Sequence, residues 1–278
     1  MSEKYSKALL FFLLFTLNLT GCDIMKSDFS KKPITDFFDD EKVQQLALAA
    51  AEGKVAVVED LIKNQGVDPN ALGKEANTPL GKEIMTPLRY AWWTFTDDSV
   101  KGMKALLENG AQPDQTSDGV TLLEMSVGYP GERYHEISRV LLAGGANPNR
   151  VESETKETPI FSALYGKQFE NVKLLYQFGA DIDFKNKCGE TPFIFALDIR
   201  AFDVAFWLVE QGVDVKAMNK YGGTPAWQIH NSLTKGLYSD WAREAGLKMK
   251  AILEEKGVTF PPLSPEENRK KFNMTGDC

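Results

Sequence analysis

The side chains best suited to chemistry in this chain of 278 residues are three thiols and two imidazoles. Cys22 follows Leu19-Thr20-Gly21 behind an apolar run, Cys188 precedes Gly189, and Cys278 is the final residue given. His135 and His230 have no acidic or cysteine neighbours at metal-ligand spacing, so neither a zinc-type site nor a nucleophile–base pair can be written from local sequence. No Gly-x-Ser-x-Gly is present, and Gly144-Gly145 and Gly222-Gly223 fall at turns that backbone geometry already explains. The acidic clusters Asp39-Asp40-Glu41 and Glu254-Glu255 read as helix caps and solvated faces. No catalytic, cofactor-binding or metal-binding residue is expected, and no small-molecule substrate.

What must position any functional side chain is a recurring phrase. It runs Gln65-Gly66-Val67-Asp68-Pro69-Asn70, Asn109-Gly110-Ala111-Gln112-Pro113-Asp114, Gly144-Gly145-Ala146-Asn147-Pro148-Asn149, Phe178-Gly179-Ala180-Asp181-Ile182-Asp183, Gln211-Gly212-Val213-Asp214-Val215 and, degraded, Lys256-Gly257-Val258. The glycines lie 44, 35, 34, 33 and 45 residues apart, a period that signals stacked repeats. Between them recur Thr86-Pro87-Leu88, Thr121-Leu122-Leu123, Thr158-Pro159-Ile160, Thr191-Pro192-Phe193 and Thr224-Pro225-Ala226. A Thr hydroxyl caps free helix N–H groups, and Pro tolerates the first helical position. A second apolar pattern, such as Val172-Leu174-Leu175 or Val204-Trp207-Leu208, then ends at the glycine, the residue suited to a left-handed helix terminus. Each unit therefore reads as helix, turn, helix and extended turn.

These phrases resemble the ankyrin repeat, whose consensus has Thr-Pro-Leu-His near its start and Gly-Ala-Asp near its end. Thr158 to Gly179 and Thr191 to Gly212 share the family's offset of 21 residues. Thr86 to Gly110 and Thr121 to Gly145 are each three longer, with the surplus expected in the loop between paired helices, and Thr224 to Gly257 carries an insertion of 12, Lys235 to Gly246. Val43 to Asn70 reads as a capping repeat with Asp39 or Asp40 as the helix cap. The consensus His is replaced in every unit, which removes one polar bridge between neighbours. A tetratricopeptide array has a unit of similar length but lacks the Gly-Ala-Asp turn. The resemblance implies an all-α ankyrin-repeat solenoid of about six helix-turn-helix units over residues 38–260, followed by a C-terminal tail, 261–278.

Lys4 and Lys7 precede the apolar run Ala8 to Leu17, too short for a permanent transmembrane helix of about 20 residues but suited to the apolar core of a signal peptide. Leu19-Thr20-Gly21-Cys22 resembles the lipobox of bacterial lipoproteins, in which small residues admit the signal peptidase and the Cys is acylated. That resemblance implies loss of residues 1–21, lipid on Cys22 and stable anchoring through more than one acyl chain. Asp23 resembles the signal that keeps enterobacterial lipoproteins in the inner membrane, so the expected address is its periplasmic face, with the outer membrane as the alternative. Residues 22–37 read as a polar tether. With lipid on Cys22, Cys188 and Cys278 remain either to pair in an oxidising periplasm or to stay free thiols.

The formal charge is −7, and −8 once residues 1–21 are removed, because Lys4 and Lys7 outweigh Glu3. An acidic chain repels phosphate backbones and anionic headgroups, so no nucleic-acid partner is expected and membrane association falls to the lipid alone. A basic surface on a protein partner is favoured.

In ankyrin-like arrays the turn before Thr-Pro and the end of the first helix line one concave face. Counting seven and eight positions past each Thr, and three or four before it, gives an expected partner-binding set of Trp93, Tyr129, Tyr165, Asp198, Tyr221 and Asn231. Large aromatics with a polar edge dominate binding hot spots. Trp92 and Trp207 are expected to pack between repeats, and Trp93 stands equally well in Trp92's role. Ankyrin-repeat lipoproteins of this kind resemble immunity proteins that accompany lipase toxins delivered by type VI secretion. The resemblance implies a periplasmic binder of such a toxin, the alternative being a housekeeping scaffold for a periplasmic or envelope protein.

Overall fold

The computed structural model describes residues 32–278 apart from 79, 80, 95, 118 and 154. The signal segment, Cys22 and Asp23 lie outside the described residues. Thirteen helices and one hairpin are described: α1 (Glu41–Ala51), α2 (Val55–Lys63), β1 (Glu75–Thr78), β2 (Gly81–Ile84), α3 (Pro87–Trp93), α4 (Ser99–Glu108), α5 (Leu122–Gly128), α6 (Glu132–Ala143), α7 (Pro159–Tyr165), α8 (Phe169–Gln177), α9 (Pro192–Asp198), α10 (Phe202–Glu210), α11 (Pro225–Thr234), α12 (Asp240–Glu255) and α13 (Pro265–Phe272). They divide into two compact units, the first running to residue 123 and adding 136–146, the second taking 124–135 and 147–278.

The helix starts are built as the Thr-Pro phrase requires. Thr86, Thr191 and Thr224 accept from the backbone N–H three residues on, at 3.2, 3.3 and 3.2 Å, with Pro beside each cap. Thr158 holds the same position without a side-chain cap bond. At the other end, Gly66, Gly110, Gly145, Gly179, Gly212 and Gly257 all have positive φ, where a Cβ would crowd the backbone. Asp40 is the cap of α1, its carboxylate accepting from Lys42 and Val43 N–H.

Within the first unit α1 packs against α2, α3 and α4, and α3 against α4. Gly102 on α4 lies so close to α1 that a Cβ there would meet the Ala50 carbonyl, so the two backbones touch. Leu46, Ala47, Ala50, Trp92, Met103 and Leu106 fill the space around that contact. In the second unit α7 packs on α8 and α9, α9 on α10 and α11, and α12 on α10 and α11. Phe161, Phe193, Phe202, Leu175 and Leu208 form its interior. Burying such side chains contributes about 1.5–3 kcal/mol each.

A ladder of turn side chains ties neighbouring phrases inside each unit. In the first, Asn70 donates to the Gly110 carbonyl at 2.9 Å and accepts from Gln112 N–H at 2.7 Å. In the second, Asn149 donates to Gly179 O at 2.8 Å and accepts from Asp181 N–H at 2.7 Å, while Asp183 accepts from Asp214 N–H at 2.8 Å. The Asn or Asp four residues past the glycine thus bonds to the next copy of the same phrase.

Several expectations need correction. The segment read as the end of the tether folds: Ile34–Asp36 forms a 3-10 turn, and Phe37 and Phe38 are buried with their rings edge-on to Tyr90. The segment read as a tail contains α13, opened by a capping box between Ser264 and Glu267. Of the two long repeats, the Thr86 unit has most of its surplus in the loop and one residue of it in the ten-residue α4. The 12-residue α6 absorbs it in the Thr121 unit, against nine in α8. In the last unit, α11 has ten residues where α9 has seven, and α12 has sixteen where α10 has nine, so the insertion mainly lengthens helices.

The lost consensus His is replaced by a different bridge. Arg89 stands in its place in Thr86-Pro87-Leu88-Arg89 and is buried. Its guanidinium meets the buried Glu83 carboxylate at 2.9 Å and donates to the Gln115 and Val120 carbonyls at 3.1 and 2.9 Å. Glu124, in the same slot one unit on, accepts from Arg150 at 3.1 Å.

Candidate protein-binding face

The expected binding residues divide by burial. Trp93, in the first unit, is fully buried, its indole N–H donating to Glu83 at 3.1 Å and its ring edge-on to Trp92 at 4.9 Å. The polar requirement of the Glu83–Arg89 pair draws this ring inward, so Trp93 offers no face to a partner. Tyr129, in the second unit, is 8% exposed and stacks on Tyr134 at 4.9 Å, because the turn at Gly131 folds the chain back on itself. It too is withdrawn as a binding residue.

The other four lie at accessible places in the second unit. Tyr165 is half-buried, with its ring edge-on to Phe195 at 4.6 Å and its hydroxyl donating to Glu157 at 3.1 Å. Asp198, exposed at the end of α9, accepts from the Gln228 amide at 2.6 Å. Tyr221 is 43% exposed in the turn before α11, and its hydroxyl lies 3.9 Å from the Cys188 sulfur. Asn231 is half-buried on α11, and its backbone carbonyl accepts from Lys235 N–H at 3.0 Å. Turns in this unit are joined by backbone bonds, Lys187 N–H to Thr155 O at 3.0 Å and Lys220 N–H to Cys188 O at 2.9 Å, which hold the row of turn side chains in register. Cys188 and Cys278 are joined by a disulfide with their Cα atoms 4.8 Å apart.

Sequence reading missed Glu157 and Glu190, which occupy one slot, immediately before the helix-opening Thr158 and Thr191. Applying the repeat register to that slot would have found both. Desolvation raises the Glu157 carboxyl above its ordinary range against the hydrogen bonds from Tyr165, Asn186 and Thr155. The Tyr165 phenol is pushed up by desolvation first and then by the negative charge of Glu157. Although Asp198 is exposed as a residue, partial desolvation of its carboxyl, followed by the like charge of Glu190, pushes it up to about 6. A face that disfavours its own negative charge in this way would gain from an incoming cation.

The raised Asp198 value fixes a sign. Its folded-state pKa stands above the ordinary 3.8, so ionising it costs stability, fully above about pH 6 and not at all once both states are protonated. Asp198→Asn, which keeps an acceptor for Gln228, should therefore raise the urea midpoint relative to the parent near about pH 7 and leave it unchanged near about pH 3. Equal midpoints at both values would show that the carboxylate is not penalised.

Among the described residues, no group of three or more His, Cys, Asp and Glu side chains is gathered to hold a metal ion. No described helix is long and apolar enough to cross a membrane. A family model described as ankyrin repeats, in three copies, matches residues 127–219. A crystal structure described as that of an ankyrin repeat protein is similar to 74% of this chain and 97% of its own, at 22% identity and a TM-score of 0.55. The fold is an all-α ankyrin-repeat solenoid. No curated protein matches the chain. Ankyrin repeats indicate a protein partner.

Proposed function

We propose that this chain is a lipid-anchored periplasmic protein that binds and neutralises a lipase toxin delivered by type VI secretion. The coarser part, a protein-interaction scaffold, follows from the ankyrin repeats. The observation carrying the finer part is the sequence Leu19-Thr20-Gly21-Cys22-Asp23, which joins a repeat-built binder to a lipoprotein signal. A toxin that must reach phospholipid meets a binder confined to the same membrane, where tethering raises the effective concentration. The face for capture is Tyr165, Asp198, Tyr221 and Asn231 with Glu157 and Glu190, and the complementary partner surface is basic with an apolar anchor.

The test is co-expression with a lipase whose reading frame adjoins this one. Growth should be protected by the intact chain, and Cys22→Ser should leave the protein in the soluble periplasmic fraction with weakened protection. Asp23→Ser should move it to the outer membrane if the inner-membrane assignment holds. Lack of protection against every neighbouring lipase would retire the toxin reading.

A further inference from the structure

The C-terminal segment makes a contact that repeat stacking does not require. Helix α13 is mostly polar, and the one residue it buries is Asn268. Asn268 donates to the Gly222 carbonyl at 2.8 Å, and Arg269 donates to the Tyr221 carbonyl at 2.6 Å. Gly222 lies so close beneath the helix that a Cβ there would meet the Pro265 carbonyl at 2.4 Å. Phe272 and Leu263, the large apolar residues within and just before the helix, are 53% and 40% exposed. Docking thus has little apolar burial behind it. Two hydrogen bonds to backbone carbonyls are weak compensation for ordering a segment of this length. The remaining attachment is covalent, the bond from Cys278 back to Cys188 in the preceding turn.

We propose that residues 264–278 are a redox-held clasp over the last repeat turn, closed while Cys188 and Cys278 are bonded and opened by a dithiol. One thiolate of the dithiol attacks a sulfur of the pair to give a mixed disulfide, and its second thiol closes on the first. Cys188 and Cys278 leave as two thiols, the dithiol becoming a cyclic disulfide by giving up two electrons and two protons. Opening uncovers the Tyr221 and Gly222 carbonyls. The turn end of the candidate face therefore changes with redox state, whatever protein it binds.

Amide exchange read by mass spectrometry on the full chain tests this in three forms: untreated, dithiol-treated with thiols titrated, and Cys278→Ser. In the second and third, the amides of 268–272 should exchange about tenfold faster or more, while α9 and α10 keep their protection. Tryptic cleavage at Arg269, Lys270 and Lys271 should accelerate in parallel. Unchanged protection of α13 after both thiols titrate as free would show that contacts alone hold it, and the clasp would be wrong. Loss spread through α9 and α10 would equally overturn it, by making the bond a general staple. Free thiols at both positions in untreated protein from an oxidising compartment would remove its basis.

Discussion

Replacing Asp198 and Glu190 together by lysine is expected to abolish partner capture while leaving the thermal transition close to that of the parent. Asp198 is exposed and Glu190 half-buried, and the negative charge of Glu190 helps raise the Asp198 carboxyl to about 6. Reversing both exchanges one like-charge pair for another and relieves the desolvated carboxylate, so stability should change little. For a basic partner the same change turns attraction into like-charge contact, which costs several kcal/mol, more than a hundredfold in affinity. A large loss of binding beside a small change in folding distinguishes a recognition role from a structural one. A calorimetric titration and a melting curve on the same sample give both numbers. An unchanged Kd would remove these carboxylates from the interface, and a fall in Tm of many degrees would place them in the core energetics.

The second large effect lies in the first unit, where Arg89→Ala should cost about 3–5 kcal/mol. The substitution leaves the Glu83 carboxylate buried with the Trp93 indole N–H and the Thr78 hydroxyl as its remaining donors, and it takes a donor from the Gln115 and Val120 carbonyls, of which Val120 keeps the Ser117 N–H. Removing the carboxylate as well, with Arg89→Met and Glu83→Met in one chain, should recover a large part of the loss, because an absent charge needs no partner. Urea unfolding of Arg89→Met, Glu83→Met and the double variant closes the cycle. A single-variant cost below about 1 kcal/mol would mean that water compensates the pair.

What could be read from sequence was what short-range chemistry dictates. Thr86, Thr158, Thr191 and Thr224 with their prolines mark helix starts, and six glycines of positive φ mark helix ends, because each signal concerns a backbone group within a few residues. Burial of an individual ring was less legible. Slot counting places Trp93 on the inner side of its helix, but its N–H is claimed by Glu83 ten residues earlier, on a hairpin, Glu75 to Ile84, that the repeat register does not contain. Tyr129 was misassigned for a similar reason, since stacking on Tyr134 depends on how tightly the turn at Gly131 closes. Glu157 and Glu190 went unnoticed because each looks like an ordinary surface charge alone, and only their shared register makes them a feature. Helix α13 was hidden because it lacks an apolar stripe and is attached through one asparagine, one arginine and a bond spanning 90 residues.

On the proposed function, the second unit presents Tyr165, Asp198 and Tyr221 to another protein. Its most direct test is a photoreactive amino acid placed singly at each of these positions in the full chain, with Lys104 on the exposed side of α4 as control. Irradiation of cells during toxin exposure should yield one adduct of defined mass from the three face positions, identified as a lipase, and none from the control. No adduct from the face, or equal yields from face and control, would remove these three residues from the interface.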